Sequence, residues 1–423
     1  MPPPWPRVAR ATRLAEYRDR TRPRGRTPLR SSFAARILVV TAPRVSIRRA
    51  SLRAQRFPVK LLFFIASLQC GGAERVSATL CNRWAETGWD VTIATFDDGS
   101  DPPFFPLSPR VRHVTLDLKR RSTGIAYSIA NNLRRIPKLR RFVARERPDR
   151  IVSFIDGTNV LVLIAAKGTG IPVVVSERID PSQHPIPAPW RWLRRITYPW
   201  ARAIVLQTRS AAAHWPASWA RRIEVVPNPV PRLAPGPAAS TVESSGRPCL
   251  IVGMGRLEPQ KGFDLLIRAF ARIASVRPDW TLRILGDGPE RAALEREARE
   301  SGVAERIHLT GREADAAGVL RRADLFVLSS RYEGFPNALC EAMACGLPVV
   351  SFDCPSGPAE IIRDGVDGLL VPREDVPALA SAIARLIDDP PLRRALAQRA
   401  AEVSDRFSVE TIAARWDAIL AGA

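Results

Sequence analysis

From residue 59 the chain settles into short, continuous apolar runs separated by amphipathic stretches, and this pattern starts twice. The first set of strand-like runs is Lys60–Ala66, Asp90–Phe96, Arg150–Phe154, Val173–Val175, Ala203–Leu206 and Glu224–Val226, with helices read over Val76–Trp84 and Val160–Ala166. The second set is Leu250–Val252, Leu282–Leu285, Ile307–Leu309, Leu325–Leu328 and Val349–Val350. Between its first two runs, Phe263, Leu266, Ile267, Phe270 and Ile273 recur at helical spacing. A strand that is apolar throughout must be covered on both faces. Such strands alternating with helices therefore specify a parallel, doubly wound sheet. The expected fold is α/β, with two Rossmann-like domains facing across a cleft.

Domain limits follow from where the pattern breaks. One domain is expected over 59–235 and a second over 249–405. A linker is read at 236–248, inside a stretch rich in Pro, Ser, Gly and Ala that lacks apolar periodicity. From Val376 onward the chain reads as helical, interrupted at Pro390 and Pro391. The segment 406–423, carrying Phe407, Ile412 and Trp416, is expected to be a helix packing back towards the first domain.

The net charge of +22 suggests a nucleic-acid partner until it is located. Residues 1–60 hold 16 Lys and Arg against only Glu16 and Asp19, so this end carries more than half of the excess. Residues 1–58 are also Pro-rich and lack periodicity, which reads as a disordered basic extension. Charge therefore does not define the protein, and a nucleic-acid partner is disfavoured. The six cysteines form no CxxC pair, and the four histidines are scattered, so neither a metal cluster nor a disulfide framework is expected. No apolar run approaches the roughly 18 residues of a membrane span, which makes a cytoplasmic location the default expectation.

In open α/β sheets ligands bind outside the carboxyl ends of the strands, so the strand-end loops matter most. The first strand of the second domain ends in Gly253-Met-Gly255-Arg256, followed by Lys261-Gly262. Glu258 spoils a dinucleotide fingerprint, and no Gly-Lys-Ser/Thr completes a phosphate loop. What remains is a small-residue turn with two cations, suited to charge developing on a diphosphate leaving group. Taken alone, Arg256 and Lys261 fit a plain surface turn equally well. Gly286 opens the next loop and Gly311 the one after, where a flat base could lie against bare backbone. The richest segment runs from Ser329 to Val350. Glu333 precedes a helix expected from about Pro336 to Cys345, and Glu341 lies on that helix two turns further along. Backbone N–H groups of Gly334, Phe335, Asn337, Ala338 and Leu339 crowd its N-terminus, a ready anion site.

These residues together resemble glycosyltransferase family 4, retaining enzymes of GT-B fold. The resemblance rests on Glu333 and Glu341 at their spacing, with GMGRL, QKGFD, LGDGPE, LTGR and EGFPNALCEAMACGLPVVS in order over roughly 59–423. It implies that Arg256 and Lys261 bind the donor diphosphate, that Glu333 contacts the transferred sugar, and that Glu341 contacts the ribose. It implies a nucleotide-sugar co-substrate, with a UDP-sugar expected, and no metal or cofactor; no D-x-D sequence is present. Gly71 and Gly72 stand where the family has its glycine loop. Glu177, Arg178 and Asp180 resemble a subgroup making exopolysaccharides and lipid-linked oligosaccharides from galactose- or N-acetylgalactosamine-type donors, although Ile179 stands where that subgroup usually has Asn. Asp156, in a strand-end loop where many relatives place His, and Arg178 are candidate acceptor-side residues.

The acceptor expected from the resemblance is a glycan or a polyprenyl-linked saccharide. Trp190, Trp192, Tyr198 and Trp200 interleave with Arg191, Arg194 and Arg195, and Arg134, Arg135, Lys138, Arg140 and Arg141 lie on another basic helix. Such faces suit an anionic membrane surface, or equally a solvated side of a sheet-covering helix. A phosphorylase or a nucleotide-sugar epimerase using the same cleft is the alternative enzyme reading.

Overall fold

The structure is a computed structural model that describes residues 58–118, 125–180, 182–183, 186–233 and 248–422. The basic extension, and all of the expected linker but Pro248, lie outside those residues. Among the described residues, strands form two wholly parallel sheets. The first contains β1 (Lys60–Ile65), β2 (Asp90–Thr95), β3 (Val111–Thr115), β4 (Arg150–Phe154), β5 (Val173–Ser176), β6 (Ala203–Leu206) and β7 (Ile223–Val225), in the order β3-β2-β1-β4-β5-β6-β7. The second contains β8 (Cys249–Met254), β9 (Trp280–Leu285), β10 (Ile307–Gly311), β11 (Leu325–Leu328), β12 (Val349–Asp353) and β13 (Leu369–Pro372), in the order β10-β9-β8-β11-β12-β13. Both orders reverse direction once, between β1 and β4 and between β8 and β11. Loops beyond those four strands diverge to opposite sides and leave a crevice at each switch point.

Helices cover the sheets because the strands are buried on both faces. In the first domain these are α1 (Gly72–Glu86), α2 (Ile125–Glu146), α3 (Asp156–Ala166), α4 (Ala188–Thr197) and the single turn α5 (Arg209–Ala212). In the second they are α6 (Phe263–Ala274), α7 (Arg291–Glu300), α8 (Ala316–Arg322), α9 (Asn337–Ala344) and α10 (Pro358–Ile361), followed by α11 (Val376–Asp388), α12 (Pro390–Ala400) and α13 (Val403–Arg406). Val76, Leu80, Cys81 and Trp84 of α1 are buried at helical spacing against Phe63 of β1. Asp389 caps α12 through Leu392 N–H, which is how the Pro390-Pro391 pair becomes a helix start instead of a break.

The last helix, α14 (Val409–Ala421), belongs to the first domain's core. Ile412, Ala413, Trp416 and Leu420 are buried among Leu61, Phe63, Trp84 and Phe154. Trp416 meets Trp84 edge-on at 6.3 Å, and Trp84 Nε1 donates to Asp417 Oδ1 at 2.7 Å. Phe407, just before α14, packs against the second domain's Phe335 at 5.5 Å.

One expectation is corrected. Asp156 is not in a loop but is the first helical residue of α3, after Ile155 with φ 75°. A carboxylate in the first turn is favoured there by the helix dipole. Gly157 and Thr158, which read as a loop, are tolerated in that turn because its N–H groups have no intrahelical acceptor to lose.

Candidate active site

The switch-point loops of the two domains face each other across a cleft of about 500 Å³. From the second domain, the loop after β8 contributes Gly255, Arg256 and Lys261, and the segment after β11 contributes Glu333, Gly334, Phe335, Asn337, Ala338 and Glu341. Gly286 follows β9. From the first domain, Gly71, Gly72 and Arg75 follow β1, Asp156 follows β4, and Glu177 and Arg178 follow β5. Thus Arg256, Lys261, Glu333 and Glu341, distant in sequence as pairs, line one cavity.

Two residues expected in the lining stand outside it. Leu339, expected to offer its backbone N–H, carries its side chain into the core from the inner face of α9. Gly311 ends β10, where its carbonyl accepts the N–H of Gly286 at 2.7 Å. The wall at that end is made instead by the following residues, Arg312 to Ala317.

The charges on the second domain's wall are arranged in pairs. Lys261 Nζ donates to Glu333 Oε1 at 2.7 Å, and the Ser330 hydroxyl donates to the same oxygen at 2.6 Å. Glu333 is buried and Lys261 nearly so, so each neutralises the other where an isolated charge would be costly. Arg256 is well exposed and bridges Glu258 at 3.3 Å, a weak pairing that a more highly charged anion can replace. Gly286 is required by close packing. Its φ is 145°, and a Cβ there would lie 1.8 Å from the carbonyl oxygen of Gly255. Two strand-end loops can thus pack backbone to backbone under the cations.

The first domain closes over this wall through polar contacts that no local sequence signal reveals. Arg75 of α1 forms an ion pair with Glu341 of α9 across the cleft. Asn337 does not simply face a ligand: its Nδ2 donates to Gly72 O at 3.1 Å, and its Oδ1 accepts from Asn228 Nδ2 at 2.6 Å. Ser356 donates to Asp180, and Glu360 accepts from the N–H groups of Arg209 and Ser210 at 3.1 and 3.0 Å. Gly334 allows the closest approach. A Cβ there would sit 2.6 Å from Arg178 O and 3.1 Å from Ile179 Cα.

Arg178 stacks over Phe154 at 4.4 Å and donates to Asn228. Burial pushes its guanidinium down to about 9, so it remains a cation at neutral pH. Glu177 is buried; burial first, opposed by Arg194 and reinforced by Asp156, pushes its carboxyl up to about 7. Sequence reading missed the Arg75–Glu341 pair, Asn228 and the site character of Glu177. Only Glu177 carried a signal, its place in the Glu177 to Asp180 segment that bears the subgroup resemblance.

Chemically, the cleft offers cations beside two acids, bare glycine backbone, and a second wall within hydrogen-bonding reach of the first. Residues 71–229 match the family model of the glycosyl transferase 4-like domain, and residues 248–389 match that of glycosyl transferases group 1. An α-1,4-N-acetyl-D-galactosaminyltransferase of Campylobacter jejuni, acting on a diNAcBac-PP-undecaprenol-linked acceptor by its name, is 27% identical over 86% of this chain and 98% of its own. The amylovoran biosynthesis glycosyltransferase AmsD of Erwinia amylovora is 26% identical over 85% and 99%. Among solved structures, sucrose-phosphate synthase from Thermosynechococcus elongatus superimposes with a TM-score of 0.73 at 20% identity, over 86% and 98%. Anabaena HepE in complex with UDP gives 0.69 at 21%, over 86% and 100%.

Proposed function

The chain belongs to the glycosyltransferases built from a 4-like N-terminal domain and a group 1 C-terminal domain in the GT-B fold, and from that premise we propose that it is a retaining hexosyl- or N-acetylhexosaminyltransferase using a UDP-sugar. Its product is a growing cell-surface polysaccharide or lipid-linked oligosaccharide. The observation that carries this reading is the meeting of Arg256, Lys261, Glu333 and Glu341 in one cleft. Arg256 and Lys261 take the diphosphate, Glu333 accepts hydrogen bonds from the transferred sugar, and Glu341 takes the ribose once Arg75 releases it.

Reaction then depends on positioning and charge. As the bond from the anomeric carbon to the diphosphate breaks, negative charge grows on the leaving oxygen, and Lys261 is fixed beside it before the event. A phosphate oxygen on the same face takes the acceptor hydroxyl's proton, so the configuration at the anomeric carbon is retained without a separate strong base. Lys261 already neutralises Glu333, which leaves that carboxylate a weak nucleophile and favours this route over a covalent intermediate.

Work at a membrane surface fits the first domain. Trp192 is 63% exposed, and Ile196 and Trp200 are exposed beside Arg191 and Arg195 on or next to α4. Among the described residues no helix is long and apolar enough to cross a membrane. That support, together with the named acceptor of the Campylobacter relative, favours a lipid-linked acceptor.

The test is a panel of radiolabelled UDP-sugars with an extract of lipid-linked saccharides. Wild type is expected to lengthen a glycan, while Glu333→Ala and Lys261→Ala lose that activity. Release of free sugar phosphate, or an epimerised nucleotide sugar without transfer, would instead establish a phosphorylase or an epimerase.

A further inference from the structure

Glu177 has a constrained position that the donor chemistry leaves unused. It lines the cleft at the carboxyl end of β5 while remaining only 6% exposed. Its Oε1 accepts a hydrogen bond from the Tyr198 hydroxyl at 2.5 Å, and Arg194 Nη1 stands 3.6 Å from the same oxygen. Tyr198 in turn accepts from Asn159 Nδ2 at 3.0 Å and stacks on Trp215 with ring centroids 5.7 Å apart. Asn159 and Tyr198 are fully buried, so the carboxylate is held in one place by a rigid support.

Two further observations connect this carboxylate to a ligand. The segment after it presses on the catalytic loop: Gly334, next to Glu333, has room for no side chain because Arg178 and Ile179 lie against it. A sugar held at Glu333 thus has the Glu177 wall as its neighbour. In that same wall Arg178 also lines the cleft, and its Nε is buried with no hydrogen-bond partner. A purely structural role, tying α4 to the sheet, accounts for Arg194 and Tyr198 but not for a carboxylate and an unpartnered guanidinium nitrogen in residues that line the cavity.

Resting on the donor reading above, we propose that Glu177 binds the acceptor: its carboxylate accepts a hydrogen bond from a hydroxyl of the acceptor sugar and aligns that sugar against the donor at Glu333. Tyr198 and Arg194 act as positioning residues behind it, so α4 sets acceptor alignment from the outer side of the domain.

The experiment uses the full chain, the UDP-sugar that wild type transfers best, and synthetic octyl glycosides of galactose and N-acetylgalactosamine with their monodeoxy derivatives. A hydrogen bond to a charged group corresponds to a factor of roughly ten to a hundred. Glu177→Gln is therefore expected to raise the acceptor KM by about that factor with a much smaller fall in kcat, while calorimetric UDP affinity stays within about twofold. One monodeoxy acceptor should show a comparable loss with wild type and no additional loss with Glu177→Gln. An acceptor KM unchanged in a variant that still binds UDP would overturn the proposal, as would equal use of every monodeoxy acceptor by wild type. Should Glu177→Gln fail to fold, Tyr198→Phe decides: a rise in acceptor KM of a few-fold supports the assignment, and an unchanged value defeats it. Failure of wild type to transfer from any UDP-sugar to any acceptor would remove the donor reading and this one with it.

Discussion

The two walls of the cleft reach complementary shapes by different routes. On the second domain's wall, the working residues come as close neighbours in sequence: Arg256 with Lys261 on one loop, and Glu333 with Glu341 on one loop and its helix. On the first domain's wall, Arg75, Asp156, Glu177 and Asn228 come from four separate connections, and Arg75, Glu177 and Asn228 are each held by a partner from elsewhere in the fold. The first domain even takes its last core piece, α14, from the far end of the chain. The second domain's wall thus draws its charged residues from two sequence segments, tied together by the Lys261–Glu333 pair, whereas the opposing wall is gathered from four separate connections by long-range packing.

The largest expected effect follows from that dependence. Trp416→Ala removes a fully buried ring from the first domain's core and should cost about 3–5 kcal/mol. Thermal unfolding should then split into two transitions, with the second domain's unmoved; a single transition shifted as a whole would mean the walls are not separable in this way. Next, Lys261→Ala should lower kcat/KM by roughly 10²–10³-fold, because the cation proposed for the leaving group is lost and the buried Glu333 keeps only the Ser330 hydroxyl. Steady-state kinetics with the preferred UDP-sugar measures it, and a loss under tenfold would show that the donor wall does not depend on this pair.

A third prediction uses pH to probe the long-range wall alone. Glu177 in the folded protein titrates at about 7, above its ordinary 4.5, so between those values the folded state holds a proton that the unfolded state has lost. Stability should therefore decline as pH rises from about 4.5 to 7 and then level off, by on the order of 3 kcal/mol from this group. Denaturant titrations of wild type and Glu177→Gln should diverge across that interval; parallel curves would contradict the assignment. The smallest effect belongs to the rim. Glu360→Ala removes an exposed carboxylate that caps α5 from the opposite domain, and should cost under about 1 kcal/mol.

How much of this was readable beforehand follows the same division. The α9 segment was legible because Pro336 at its start and Gly346 just past its end bracket a short apolar helix, which placed Glu333 in a loop and Glu341 on a helix. The buried central strands were legible as apolar runs. The edge strands β3 and β13 were not: β3 mixes Arg112 and His113 into its run and buries only Val111 fully, and β13 has just three apolar residues before an exposed Pro372. The start of α3 was hidden by Gly157, a poor helix former that costs little in a first turn. The pairing of Arg75 with Glu341 was invisible in principle, since each reads as an ordinary helix charge until the two domains close.

A structure of the protein crystallised with UDP tests the central claim most directly. The account predicts the diphosphate within hydrogen-bonding distance of Arg256 and Lys261, the ribose hydroxyls on Glu341, and Arg75 turned away from that carboxylate. UDP bound elsewhere, with the Arg75–Glu341 pair intact and Lys261 still on Glu333 alone, would contradict it.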